Sequence, residues 1–146
     1  MTRRDWPQRI DKGHIYGNFR DADKAKVARK SLQQRREGNC EKHKAMIRQL
    51  VCCIPGCKHA PPNDPHHLKS GEARGQRGIG MKATDRFCVP LCRRHHDQLE
   101  NLPSSQEIKW FQDMGLDDAH ALADALWRAP RTVSAMTAIV MAHRQD

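Results

Sequence analysis

Two pairs of adjacent histidines, each inside a short run of other ligand-type or charged residues, constrain this chain more than anything else in it. Asp64-Pro65-His66-His67 is followed about 25 residues later by Cys92-Arg93-Arg94-His95-His96. Upstream, Val51-Cys52-Cys53-Ile54-Pro55-Gly56-Cys57 places three cysteines around a Pro-Gly bend that lets them converge. Histidine is the commonest metal ligand and the side chain whose ordinary pKa suits proton transfer near neutrality. Four of the nine histidines stand in the two paired clusters, which points to a site that both holds a metal and moves protons.

The need for such a site is also a matter of size. At 146 residues with 38% hydrophobic side chains and a mean hydropathy of −0.85, the chain is one domain with a small core. A small core needs a staple, either disulfides or a structural metal. Residues 1–12 contain no apolar signal region, and no run is long enough to span a membrane. A reducing cytoplasm and no membrane partner are therefore expected, and there the clustered Cys and His read as metal ligands.

The net charge of +9 favours a polyanionic partner, DNA above all. It is unevenly spread: residues 1–48 hold 14 Lys and Arg against 6 Asp and Glu, while the rest hold 12 against 11. Residues 1–44 are read as a basic arm, partly helical or disordered, with helix-forming composition over Asp21–Arg36. Residues 45–128 are read as the functional domain with a helical cap, and residues 129–146 as a tail with a short frayed helix at Thr132–His143.

Within the domain, a short helix is expected at Cys40–Leu50, a strand around His66–Lys69 and a second strand at Phe87–Leu91. The stretch between them is too rich in Gly for a helix or a central strand. A helix from Leu91 carries Cys92, His95, His96, Leu99 and Glu100. Beyond it, Ser104–Met114 reads as an amphipathic helix with Ile108, Trp110 and Phe111, and Asp117 as the N-cap of a helix over Asp118–Arg128.

Strand, loop, strand and helix with histidine pairs at both ends form a ββα-metal arrangement. His96 and Glu100 share one helix face, being four apart, whereas His66 and His67 point to opposite sides of a strand. One strand histidine can bind a divalent metal while its neighbour deprotonates water. His66, His96 and Glu100 are assigned to the metal (Mg²⁺, Mn²⁺ or Zn²⁺) and His67 to the general base, although the residues alone would allow the two strand histidines to exchange roles. A second, structural Zn²⁺ set is Cys57, Cys92, His95 and either Cys52 or Cys53, since both spacings are usable. Arg74, Arg77 and Lys82 in the loop, with Arg93 and Arg94 on the helix, are candidates for gripping a phosphodiester.

At these residues the chain resembles the HNH nuclease superfamily, within it the branch of phage and bacterial proteins with the domain of unknown function 968 and the phage RecA-dependent nuclease Ref. Cys52–Cys57, Asp64–Glu100 and, more weakly, Trp110–Trp127 carry the likeness. The resemblance implies metal and base positions at His66 and His67, a loop-steadying position at Asp85, a helix ligand at His96, and structural zinc ligands at Cys52, Cys57, Cys92 and His95. It also implies a phage or recombination partner. Glu100 stands where the family often has a second helix histidine, and the basic arm has no counterpart in it.

The expectation is an α+β fold, a small zinc-stabilised ββα-metal core (HNH, or His-Me finger) with flanking helices and a basic N-terminal arm. The expected activity is metal-dependent hydrolysis of DNA with low sequence specificity. The rival reading is a non-catalytic, zinc-stabilised DNA-binding or assembly protein.

Overall fold

A computed structural model describes residues 38–77 and 81–145. The expected helix over Asp21–Arg36, most of the basic arm and part of the glycine-rich loop lie outside the described residues. What is described is a small α+β fold: one two-stranded antiparallel sheet among helices.

Helix α1 (Glu41–Ile47) leads through the cysteine knuckle to β1 (Asp64–His67), which pairs with β2 (Cys88–Leu91). The register sets Pro65 opposite Pro90 and His66 opposite Val89. Two prolines can face each other only where no ladder hydrogen bond is exchanged, because neither has an N–H to give. That fixes the pairing, and the Pro90 carbonyl, turned away from β1, accepts the Cys53 amide at 2.9 Å. A two-stranded sheet is marginal alone; here β2 is buried along its length.

Among the boundaries that differ from the sequence expectation are these three. The first strand begins at Asp64 and ends at His67, two residues early. The glycine-containing segment, expected to be non-helical, starts with helix α2 (Gly71–Gly75). Its glycines disfavour a helix by up to about 1 kcal/mol each, but Ala73 is fully buried and Glu72 and Arg74 are good helix formers. Gly71 sits at φ +56°, and a Cβ there would come within 3.1 Å of the His120 ring. The third boundary concerns a cap: helix α5 (Ala119–Arg128) is capped by Asp118, not Asp117, with its carboxylate accepting the Ala121 amide at 2.9 Å.

Helix α3 (Arg93–Glu100) follows β2 directly. The buried Lys69 ammonium donates to the carbonyls of Leu99 and Leu102, at 2.5 and 3.1 Å, where a cation complements a helix C-terminus. This pins the end of α3 to the chain leaving β1. Helix α4 (Glu107–Asp113) buries Glu107 and Phe111, while Ile108, expected on its apolar side, is 47% exposed.

Residues 38–44 and 133–144 both pack into the core. His43 and Ile47 of α1 are fully buried, so the helix runs across residue 45 without a break. Helix α6 (Val133–Arg144) is capped by Thr132 and buries Met136 and Val140. It is not frayed: in its last turn the buried Arg144 guanidinium donates to the carbonyls of Cys52 and Cys57, at 3.0 and 3.3 Å. Among the described residues no helix is long and apolar enough to cross a membrane.

Candidate metal centre and active site

The knuckle and the start of α3 bring Cys52, Cys57, Cys92 and His95 together, their donor atoms all within 4.8 Å of one another. Cys52 Sγ and Cys92 Sγ lie 3.4 and 3.2 Å from His95 Nδ1, and Cys57 Sγ lies 4.0 Å from Cys92 Sγ. A tetrahedral zinc with bonds of about 2.3 Å to sulfur and about 2.0 Å to nitrogen needs S–S edges near ~3.8 Å and S–N edges near ~3.5 Å. The cluster is thus compatible with a structural zinc. Burial, and then the neighbouring Cys57 and Cys92, push the Cys52 thiol up to about 12, so a thiolate there needs a cation beside it. Burial and Arg94 lower His95, which keeps its imidazole neutral and able to ligate.

Cys53, the alternative first ligand, is not in the cluster. It is buried in the apolar core, and burial raises its thiol well above the usual range. Cys40 and Cys88 are free, as are the other four cysteines.

On β1, His66 is fully buried and its neighbour His67 half-buried, as alternation along a strand requires. His66, His96 and Glu100 form a second cluster. His66 Nδ1 is 3.6 Å from Glu100 Oε1, and His96 Nε2 is 3.9 Å from the same oxygen. His66 Nδ1 is buried beside Glu100 and has no hydrogen-bond partner. An unpartnered ring nitrogen beside a carboxylate is what a divalent cation would satisfy. Burial and the facing His66 lower the pKa of His96, against the opposing pull of Glu100 and Asp64.

His67 points the other way. Its Nε2 lies 2.9 Å from Asp85 Oδ1. Asp85 is held from the segment before α1: its Oδ2 accepts the Cys40 amide at 2.8 Å, and its own amide donates to Asn39 Oδ1 at 3.2 Å. Lys44 Nζ stands 3.8 Å from Oδ2. Burial works against the Asp85 carboxylate, but the His67 and Cys40 hydrogen bonds and the Lys44 charge outweigh it and leave its pKa lowered. Gly38 makes the approach feasible, because at φ +88° it lies so close to Thr84 that a Cβ would meet Oγ1 at 2.8 Å. Residues 38–44 therefore build the site.

Glu107 lies outside the sequence-derived set. This fully buried carboxylate is 3.0 Å from His66 Nε2 through Oε1, while Oε2 accepts the Lys69 amide, the Ser70 amide and the Ser70 hydroxyl at 2.7, 2.8 and 2.5 Å. Burial raises its pKa, yet the hydrogen bonds from His66, Ser70 and Lys69 prevail and the net shift is downward. A glutamate in an amphipathic helix reads as solvent-facing; the available signal is its i, i+4 spacing to Phe111.

Arg74, Arg77 and Lys82 are exposed on either side of residues 78–80. Arg93 pairs with Asp64, its Nε 3.1 Å from Oδ2, and stands 3.6 Å from Asp97. Arg94 is exposed, with its guanidinium 3.3 Å from His95 Nε2.

Comparison with known proteins places these clusters in a family. The pattern of the proteins of unknown function DUF968 matches residues 28–122, a span holding every ligand candidate and Glu107. The chain belongs to the DUF968 family. Among curated proteins, this DUF968 chain is 36% identical over 85 residues to the uncharacterized protein YdfU of Escherichia coli (strain K12). That alignment covers 58% of this chain and 23% of YdfU, so the similarity spans under a quarter of the relative's length. No solved structure matches the DUF968 chain significantly.

Proposed function

We propose that this protein is a divalent-metal-dependent endonuclease that hydrolyses DNA phosphodiester bonds, with His67 as general base. The observation that carries the reading is a three-donor cluster, His66, His96 and Glu100, adjoined on the same strand by a second histidine fixed by a carboxylate. Asp85, kept ionised, takes the Nε2–H of His67. The Nδ1 lone pair is then left to accept a proton from water. A divalent ion held by His66, His96 and Glu100 would supply the positive charge that a scissile phosphate and its leaving oxygen need. Two imidazoles and a carboxylate suit Mn²⁺ or Zn²⁺, and the carboxylate also suits Mg²⁺.

Strand, connection, strand and helix in this order support the likeness to the HNH nucleases, with Asp85 in the loop-steadying place. The Cys3His cluster would then be the staple of the small core, and the positive charge concentrated in residues 1–48 a source of sequence-independent affinity for DNA. No motif for reading base edges accompanies it, which favours low specificity.

The test is plasmid nicking by the purified chain with EDTA, Mg²⁺, Mn²⁺ or Zn²⁺, beside His67→Ala. Cleavage that needs metal and vanishes in the variant is the expected result. DNA binding without cleavage under every metal would overturn it in favour of a non-catalytic zinc-stabilised DNA-binding or assembly protein, a role the enclosed Cys3His cluster would serve equally well.

A further inference from the structure

The two ring nitrogens of His66 meet opposite surroundings. Nε2 faces Glu107 Oε1 at 3.0 Å, whereas Nδ1 faces the His96 and Glu100 side and has no hydrogen-bond partner. A neutral imidazole carries one proton, and the nitrogen without it presents a lone pair. With the proton on Nδ1, the Nε2 lone pair would abut a carboxylate oxygen, and a buried N–H would point at a ligand cluster with no acceptor in hydrogen-bond range. With the proton on Nε2, the carboxylate accepts it and the Nδ1 lone pair is bare.

The carboxylate itself has little freedom to change role. Its other oxygen already accepts two backbone amides and one hydroxyl, from Lys69 and Ser70. The Ser70 hydroxyl is in turn 3.2 Å from His120 Nε2, so a chain of polar contacts from α5 backs the glutamate. The donors that hold Glu107 come from the two residues just after Leu68, where β1 hands over to α2. The group that orients His66 is thus locked to the strand that carries it.

We infer that Glu107 is the positioning residue of the candidate metal centre: it holds His66 in the Nε2–H form and so turns the Nδ1 lone pair toward His96 and Glu100. The inference rests on the metal-site reading above but not on cleavage. Carboxylates that orient a ligating histidine in this way typically govern affinity by about 10- to 100-fold. Glu107→Gln keeps the side chain's size and its ability to accept from Ser70 and Lys69, but it can present an N–H toward His66 Nε2.

The experiment has two arms, both on the full chain with zinc in its cysteine cluster. ¹⁵N NMR of the histidine rings at pH 8 reads the His66 proton directly in the wild type, with no variant needed. The proton is expected on Nε2 alone; a proton on Nδ1 overturns the inference. Mn²⁺ titration by calorimetry then compares wild type with Glu107→Gln and with Glu107→Asp. Glu107→Gln is expected to weaken Mn²⁺ binding by about 10- to 100-fold, with one zinc retained and the Asp variant recovering part of the loss. Equal Mn²⁺ affinity in wild type and Glu107→Gln overturns the inference alone. No Mn²⁺ uptake by the wild type overturns the metal-site reading with it. Uptake with the expected loss in the variant, but no DNA cleavage by the wild type, would leave Glu107 in place and remove only the nuclease.

Discussion

Asp85 Oδ1 stands 2.9 Å from His67 Nε2, and the other oxygen of the same carboxylate takes the backbone amide of Cys40. The histidine expected to act as a base is therefore oriented by a residue 18 positions further along the chain, itself held from a residue 45 positions back. His67→Ala should lower cleavage by about 10²- to 10⁴-fold, the usual contribution of a positioned general base. Mn²⁺ and zinc contents should stay unchanged. Asp85→Ala should fall in the same direction, because the ring has lost the carboxylate that orients it. Single-turnover cleavage over a pH series reads both, and full activity in either variant would remove that residue from the mechanism.

Cys52 and Cys53 offer a sharper contrast, being neighbours in sequence with opposite surroundings. Cys52→Ser should lose the bound zinc and much of the cooperative thermal transition, since the core is small. Cys53→Ser should keep its zinc and lose only the fit of a buried thiol, about 1–2 kcal/mol. Zinc content by a colorimetric chelator, with thermal melts, separates the two. Equal zinc in both variants would remove Cys52 from the ligand set.

His43 sets a pH dependence of its own. It is fully buried, neither ring nitrogen has a hydrogen-bond partner, and its ring meets Trp127 edge-on at 5.0 Å. Burial, then the Arg131 charge, lower its pKa to about 4 from the ordinary 6.5, against a smaller opposing pull from Asp85. The unfolded chain thus binds this proton more readily than the folded one. The neutral ring's contribution is complete above pH 6.5 and is lost as the pH falls toward 4, on the order of 2–3 kcal/mol over that range. Acid also weakens a cysteine–zinc site, so the measurement is the difference between wild type and His43→Leu in melting temperature from pH 7.5 to 4.5. The variant should lose less. Parallel curves would show that His43 does not titrate on unfolding.

The basic N-terminal segment can be removed cleanly only up to residue 37, because Asn39, Cys40 and Lys44 serve Asp85. Deleting residues 1–37 should weaken DNA binding and flatten its salt dependence, by about one unit of log–log slope for each phosphate that the segment neutralises. Fluorescence anisotropy at several salt concentrations reads the slope. A slope unchanged by the deletion would make the segment a solubilising tail.

Much of the ligand pattern was legible because metal chemistry admits few residue types and short spacings. His66, His96 and Glu100 come together as strand alternation and the helical i, i+4 rule require. The choice between Cys52 and Cys53 was not legible, since both spacings to Cys57 suit a knuckle. Tertiary structure decides it: the Cys53 amide bonds Pro90 and its thiol goes into the core. Glu107 was hidden for a different reason. Its burial depends on donors from Lys69 and Ser70, nearly forty residues earlier, which no local window contains. The last helix read as a tail because its apolar residues are spread around it with no one-sided stripe, yet Met136 and Val140 are fully covered.

Arg144 gives the order of synthesis a hold on the finished fold. The carbonyls it clamps belong to Cys52 and Cys57, and 92 residues separate the clamp from the first of them. At roughly 5–20 residues per second, the knuckle emerges and waits several seconds or more before its lock arrives. During that interval the cluster's last donor, His95, arrives before the guanidinium does, so the four donors can take up a metal ahead of the clamp.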